Sequence, residues 1–323
     1  MKIIIDDVFN ATESLENDSV KCIITSPPYF QCRNYNNHEK QIGLEKTVNE
    51  YINTLCNVFD KLKPKLTEDG NLFVNIGDKY SKDKSLLLIP FEFANEMKNR
   101  GWILRNDIIW HKPNFQPSPV KDRLANAHEH IFHFVKNKKY YYDLDSIRIP
   151  SKCDESKNEK VYNRFMKKIT MSDDLTSEEK QNAILELENL YNQNKINDDA
   201  RLKIRNNTKI LFGSDESISG RAKELNKKGY FFHCNNPKGK NMGDVFSINI
   251  KSHKGSHEAV FPQELIIPLI KCGSDIGDVV LDCFSGSGTV VLMAENMGRI
   301  GIGIELNEEY VKEMNIEGYE ITK

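Results

Sequence analysis

The chain has no Cys-x-x-Cys pair and an odd number of cysteines, seven, which argues against both a zinc ribbon and a disulfide framework. Reduced thiols in a cytoplasmic setting are expected instead. No apolar run is long enough to span a bilayer, and no N-terminal apolar signal segment is present, so a soluble protein away from membranes is expected. Net charge is small as well, −2 over 323 residues, a balance that hides local segregation. The glycine turn near the C-terminus, Ser285-Gly286-Ser287-Gly288-Thr289, lacks the third glycine of a dinucleotide fingerprint and the Lys-Ser/Thr of a phosphate-cradling loop. Dinucleotides and nucleoside triphosphates are thereby disfavoured.

What is present begins with Thr25-Ser26-Pro27-Pro28-Tyr29, directly after the apolar stretch Lys21-Cys22-Ile23-Ile24. Consecutive prolines lack N–H groups and fix their own φ, so the chain must leave a sheet here. The turn offers the carbonyls of Ser26 and Pro27, a hydroxyl, and the aromatic face of Tyr29. Such a site suits a flat, amino-bearing ring, as when a nucleobase is drawn out of a duplex.

Far along the chain, Asp278 to Phe284 reads as a buried strand, followed by the glycine turn and the helical run Val290 to Asn296. Strand, glycine turn and helix in that order make a nucleotide-type pocket at the carboxyl edge of a parallel sheet. A second strand, Ile300 to Ile304, delivers Glu305 to the same edge, where a carboxylate can accept from both ribose hydroxyls of an adenosine. Asp282 can face the cationic amino-acid end of S-adenosylmethionine.

Asp282-x-Phe284-x-Gly286-Ser287-Gly288-Thr289, combined with Ser26-Pro27-Pro28-Tyr29 earlier in the chain, resembles the beta group of DNA amino-methyltransferases of restriction-modification systems. In that group the catalytic motif precedes the target-recognition region and the cofactor motif comes last. The resemblance implies a Rossmann-like α/β methyltransferase sheet with helices on both faces, plus an inserted target-recognition region. It implies S-adenosylmethionine as cofactor, Ser26, Pro27, Pro28 and Tyr29 as the catalytic turn, and cofactor contacts from Thr25, Asp282, Phe284, Gly286, Ser287, Gly288, Thr289 and Glu305. Asp7 matches an acidic position near the cofactor adenine, with Asp6 the alternative. Asp78, Tyr80 and Lys112 lie at sheet edges where substrate contacts are expected. Duplex DNA is the implied partner, with a cognate restriction endonuclease acting without a stable complex. The oligomeric state stays open. A serine opening the four-residue motif is more typical of enzymes acting on cytosine N4, with adenine N6 the alternative. An RNA amine methyltransferase and a non-catalytic DNA-binding shell are the rival readings from other classes.

Periodicity organises the rest. Strands are expected at residues 2–5, 21–25, 71–77, 107–111 and 129–136, with helices from Thr47 through Leu62, from Pro90 to Asn99 and from Phe261 to Ile270. This alternation predicts a parallel sheet covered on both faces. Residues 1–150 are expected to form the catalytic part, 151–245 the target-recognition region and 246–323 the cofactor-binding part. The middle segment predicts one amphipathic helix, Ser177 to Asn192, and few strands. Between residues 201 and 240 ten Lys and Arg, among them Lys209, Arg221 and Lys223, face three acidic residues, interleaved with Tyr230, Phe231 and Phe232. That composition suits phosphate contacts with some base contact, and Arg221 and Lys223 are taken as substrate-binding candidates. The resemblance further implies that His257 to Val260, with the helix that follows, line the methionine side of the cofactor. His128-Glu129-His130 with His133 invites a metal reading, but alternation along a strand splits the cluster across the sheet, and no metal is expected.

Overall fold

The computed structural model describes residues 1–32, 40–150, 155–198, 200–205, 220–234, 236, 238–250, 261–314 and 320–322. They form two compact units, Met1–Ile147 with Gly243–Lys323, and Arg148–Met242. The first unit begins with β1 (Lys2–Ile5), α1 (Val8–Glu13), β2 (Val20–Thr25), α2 (Val48–Leu62), β3 (Leu66–Ile76), α3 (Ile89–Asn99), β4 (Ile103–His111) and β5 (His128–Val135). The second unit contributes α4 (Glu155–Thr170), α5 (Ser177–Asn192), β6 (Arg201–Ile204), α6 (Gly220–Lys228) and β7 (Tyr230–His233). The first unit then resumes with β8 (Val245–Ser247), α7 (Gln263–Gly273), β9 (Val279–Asp282), α8 (Thr289–Asn296), β10 (Ile300–Glu305), α9 (Glu308–Glu313) and β11 (Glu320–Thr322).

The first unit is built on a nine-stranded sheet in the order β11-β1-β10-β9-β2-β3-β5-β4-β8. Neighbours from β11 through β3 are all parallel. Side chains alternate along β3. Leu72, Val74 and Ile76 join the core under α1, α2 and α3, while Phe73 and Asn75 face Leu265 and Leu269 of α7. Helices therefore cover both faces, which is why these strands read as near-continuous apolar runs. The expected parallel sheet carries one antiparallel strand. β5 runs antiparallel to both β3 and β4, because residues 112–127 contain no helix and a parallel return would require a crossover.

Local signals set the helix ends. Thr47 and Glu50 form a reciprocal capping box at the start of α2, and Tyr51, Ile52, Leu55, Val58, Phe59 and Leu62 are buried along its apolar stripe. α7 begins one residue after Pro262, which stands at the N-cap, and carries a second proline, Pro268, in its interior.

The second unit has its own core. Among the described residues it contains three helices rather than the single one that periodicity predicts. In α4 the stripe Val161, Phe165 and Ile169 is buried against Ala183 and Leu187 of α5, but three apolar positions in a lysine-rich background give a weak signal. Tyr230 and Phe232 are 3% and 8% exposed in that same core. They pack the unit rather than offering aromatic faces to a base, a correction to the sequence reading, and β7 pairs them with β6.

Candidate active site

A cleft of about 730 Å3 opens at the carboxyl edge of the parallel strands, the place where open α/β sheets hold ligands. Ser26, Pro27, Pro28 and Tyr29 line it from the end of β2, and Asp282, Phe284, Gly286, Ser287, Thr289 and Glu305 line it from β9, the glycine turn and β10. Asp7 and Lys112 border it as well. Two segments more than 250 positions apart thus share one wall. Thr25 joins them: its Oγ1 donates to Asp282 Oδ1 at 2.7 Å.

Asp282 is 3% exposed. Burial pushes its carboxyl up to about 7, opposed by the Thr25 hydroxyl and the Phe284 amide and reinforced by the charge of Glu305. The Phe284 amide donates to Asp282 Oδ1 at 3.1 Å. The chain then turns through Gly286 and Gly288 at φ of 51° and 73°, left-handed backbone that glycine adopts without penalty. Glu305 accepts from the Gly286 amide at 2.8 Å and the Asn307 amide at 2.8 Å. Burial raises its pKa too, partly offset by those amides. A carboxylate has about four acceptor sites, so capacity remains for a ligand diol. Ser285 Oγ is buried without a partner among the described residues. Cys283 is buried, and desolvation raises its thiol pKa, which suits a packing role.

The proline turn is braced from below. Tyr51 donates its hydroxyl to the Pro28 carbonyl at 2.9 Å. The Tyr29 hydroxyl donates to Glu129 Oε2 at 2.9 Å and accepts from Asn75 Nδ2 at 2.7 Å. The ring edge rests against Gly77, where a Cβ would stand 2.8 Å from Tyr29 Cε2. Glycine is needed there for the close approach.

The remaining candidates divide. Asp7 is 6% exposed and caps α1 through the Phe9 and Asn10 amides. Burial opposes its ionisation, but Lys40 at 2.6 Å and the two amides outweigh it and hold its pKa low. Asp78 accepts from the Lys79 and Ile89 amides at 2.8 and 3.2 Å, fastening the approach to α3. Tyr80 lies under the Arg123 guanidinium, 3.7 Å from the ring centroid. Neither is among the cleft-lining residues. Lys223 is exposed on α6, while the Arg221 side chain, Lys209 and His257 to Val260 lie outside the described residues. In the histidine cluster, His130 pairs with Asp107 at 2.9 Å and His133 with Asn71 at 2.9 Å. Burial pushes His133 down to about 3. Glu129, between His128 and His130 in sequence, faces the cleft. Its signal was present, but it read as part of a metal-like cluster.

A parallel-dominated sheet with a glycine turn after one strand and a carboxylate ending the next fits the methyltransferase type of α/β enzyme. The profile of the DNA methylase family, which groups N6 and N4 amino-methyltransferases, matches residues 20–316, and this chain belongs to that family. The family uses S-adenosylmethionine as methyl donor. Among its relatives, the Type II methyltransferase M.SmaI of Serratia marcescens is 31% identical over 337 residues, spanning 96% of this chain and 87% of the relative. M.Cfr9I of Citrobacter freundii is 31% identical over 333 residues, spanning 94% and 83%. Among solved structures, the cytosine-N4-specific PvuII DNA methyltransferase superposes with a TM-score of 0.60 at 19% identity, covering 97% of this chain and 84% of that one. A DNA modification methylase of Thermus thermophilus, solved with S-adenosyl-L-methionine, gives 0.54 at 18% identity, covering 100% and 99%.

Proposed function

We propose that this chain methylates the exocyclic amine of a base turned out of duplex DNA, with cytosine N4 favoured over adenine N6. One observation carries the reading: the proline turn ending in Tyr29 and the glycine turn at Gly286 line the same cleft. Its volume falls in the range of about 300–1,000 Å3 typical of small-molecule sites. The serine that opens the motif supports the cytosine preference, as does the cytosine-N4 specificity of the PvuII neighbour.

The donor set suits the cofactor. Asp282 would meet the cationic amino-acid end and Glu305 the ribose hydroxyls, with Phe284, Gly286, Ser287, Gly288 and Thr289 shaping the wall. Asp7, whose carboxylate is engaged by α1 and Lys40, bounds the adenine end. S-adenosylmethionine supplies an electrophilic methyl group on its sulfonium. The chain's own task is to ready the amine, a poor nucleophile because its lone pair is delocalised into the ring. Carbonyls of Ser26 and Pro27, with the Ser26 hydroxyl, accept the amine hydrogens and draw the nitrogen toward tetrahedral geometry. Tyr29 replaces stacking lost when the base leaves the duplex, a contribution of about 1–3 kcal/mol. Positioning and electrostatics then carry the rate without a covalent enzyme intermediate.

The second unit occupies the place of the target-recognition region, with Lys223 and Arg221 as phosphate contacts. A cognate restriction endonuclease acting without a stable complex fits the Type II methyltransferase relatives. Incubating the protein with labelled cofactor and mixed-sequence duplex DNA, then identifying the modified nucleoside by mass, tests the whole reading. N4-methylcytosine is expected. N6-methyladenine would reverse the base preference, and absence of label from DNA would sink the function. A DNA-binding shell would show no S-adenosylmethionine affinity in a titration.

A further inference from the structure

Glu129 is delivered to the cleft by the strand that breaks the parallel order. Ile76 pairs with His130 and β5 runs antiparallel to β3, so the preceding residue of β5, Glu129, lies just beyond the end of β3, beside the proline turn. Its side chain is 16% exposed, and a carboxylate so placed must be paired and hydrogen-bonded or it is costly. Three donors converge on it. The Tyr29 hydroxyl and Asn75 Nδ2 donate to Oε2 at 2.9 and 2.8 Å, and Lys112 Nζ pairs with Oε1. Asn75 Nδ2 also donates to the Tyr29 hydroxyl at 2.7 Å, closing a triangle in which the phenol both donates and accepts. On the other side Lys112 Nζ stands 4.3 Å from the centroid of the Trp110 ring. That indole is itself held by a 2.9 Å bond from Nε1 to the Ile248 carbonyl. Tyr29, Lys112, Trp110, Asn75 and Glu129 all line the cleft.

We propose that Glu129 is a positioning residue for methyl transfer: its carboxylate ties the Tyr29 phenol to the Lys112 ammonium, so that two cleft walls hold one geometry. Without it the phenol loses its acceptor and Lys112 its counter-charge, and the ring on which a base stacks is free to swing. Burial, with the neighbouring Glu129 charge, raises the Tyr29 pKa well above its ordinary value, so the phenol remains a donor through the neutral range. The inference rests on the methyl-transfer reading above.

The test compares purified wild-type protein, E129Q, Y29F, K112M and Y29F/K112M in DNA methylation, with S-adenosylmethionine titration and thermal unfolding alongside. E129Q is expected to lower kcat about 10–100-fold, the scale of a small misplacement of reacting groups. Cofactor affinity should stay within about twofold, which a general loss of structure would not allow. Tyr29 and Lys112 grip opposite oxygens of one carboxylate, so the double variant should lose markedly less than the product of the two single losses. Unchanged kcat in E129Q, or losses that multiply in the double variant, would overturn the role. If E129Q does not fold, the Y29F and K112M cycle decides alone. A wild-type protein that methylates no DNA removes the methyl-transfer reading, a result distinct from an active wild type indifferent to Glu129.

Discussion

Thr25 Oγ1 donates to Asp282 Oδ1 at 2.7 Å, a bond between residues 257 positions apart. It ties the strand that ends in the proline turn to the strand that ends in the glycine turn. β2 and β9 are direct neighbours, with Cys22 opposite Val280 and Ile23 opposite Leu281, so the bond forms where the two strands run out together. The proline-turn side and the glycine-turn side of the cleft are thereby built on adjacent strands of one sheet.

Replacing Thr25 with Val keeps the shape and removes that donor. A buried carboxyl left short of a partner costs about 1–3 kcal/mol. Urea unfolding should show a loss in that range, and S-adenosylmethionine titration a weaker affinity. Unchanged values in both would mean that the bond is incidental.

The raised Asp282 carboxyl gives a signed pH dependence. Unfolded, the group releases its proton near its ordinary value of 3.8, whereas folded it holds the proton until about 7. Between those values the folded state binds more protons, so this group's contribution to stability falls as pH rises and levels off above about 7. Binding of a cationic ligand end calls for the charged form, so cofactor affinity should rise from pH 6 to pH 8. Asp282→Asn should flatten that rise in a calorimetric titration; an equally steep rise in the variant would assign the proton elsewhere.

Gly77→Ala places a methyl group where the Tyr29 ring lies. The ring must shift, and overpacking of this kind costs about 1–3 kcal/mol. Turnover should fall about 10–100-fold while cofactor affinity holds, measured by methylation kinetics and titration on the same preparation.

Tyr51→Phe removes the hydroxyl that braces the Pro28 carbonyl. Stability should drop by about 1 kcal/mol, read from the denaturant midpoint, and kcat should fall as the turn loosens. A variant with wild-type kcat would show that the prolines hold the turn unaided.

Phe232→Ala opens a cavity in the core of the second unit. The cost expected for a buried phenylalanine is about 3–5 kcal/mol, concentrated in that unit. DNA affinity should drop in a gel-shift assay while S-adenosylmethionine affinity persists. Parallel loss of both would argue against a separate recognition unit.

The two motifs were legible because each is punctuation. Prolines and glycines act on the backbone locally, so Ser26 to Tyr29 and Ser285 to Thr289 announce turns after strands whatever surrounds them. The helix expected from Thr47 and the one expected at Ser177 to Asn192 stand where periodicity places them, and each opens with a capping box. Glu129 was visible only as a neighbour of histidines, because its partners come from other strands and a loop. Asp78 read as a substrate contact, yet its carboxylate serves the amides of Lys79 and Ile89. Tyr230 and Phe232 read as base-facing for a similar reason: in a basic segment nothing local distinguishes an aromatic that packs from one that faces solvent.

By itself the sequence determined where the chain turns at its two motifs, which segments of the first unit form the central strands and the helices α2, α3 and α7, and which side chains stand at those strand ends. These follow from φ restrictions, missing N–H groups and apolar period, all interactions of short range. Strand order, the reversal of β5, the meeting of Thr25 with Asp282 and the convergence of three donors on Glu129 were decided only by tertiary structure. Their physical cause is pairing between distant backbones, where burial and hydrogen bonding are satisfied by groups that no local pattern specifies.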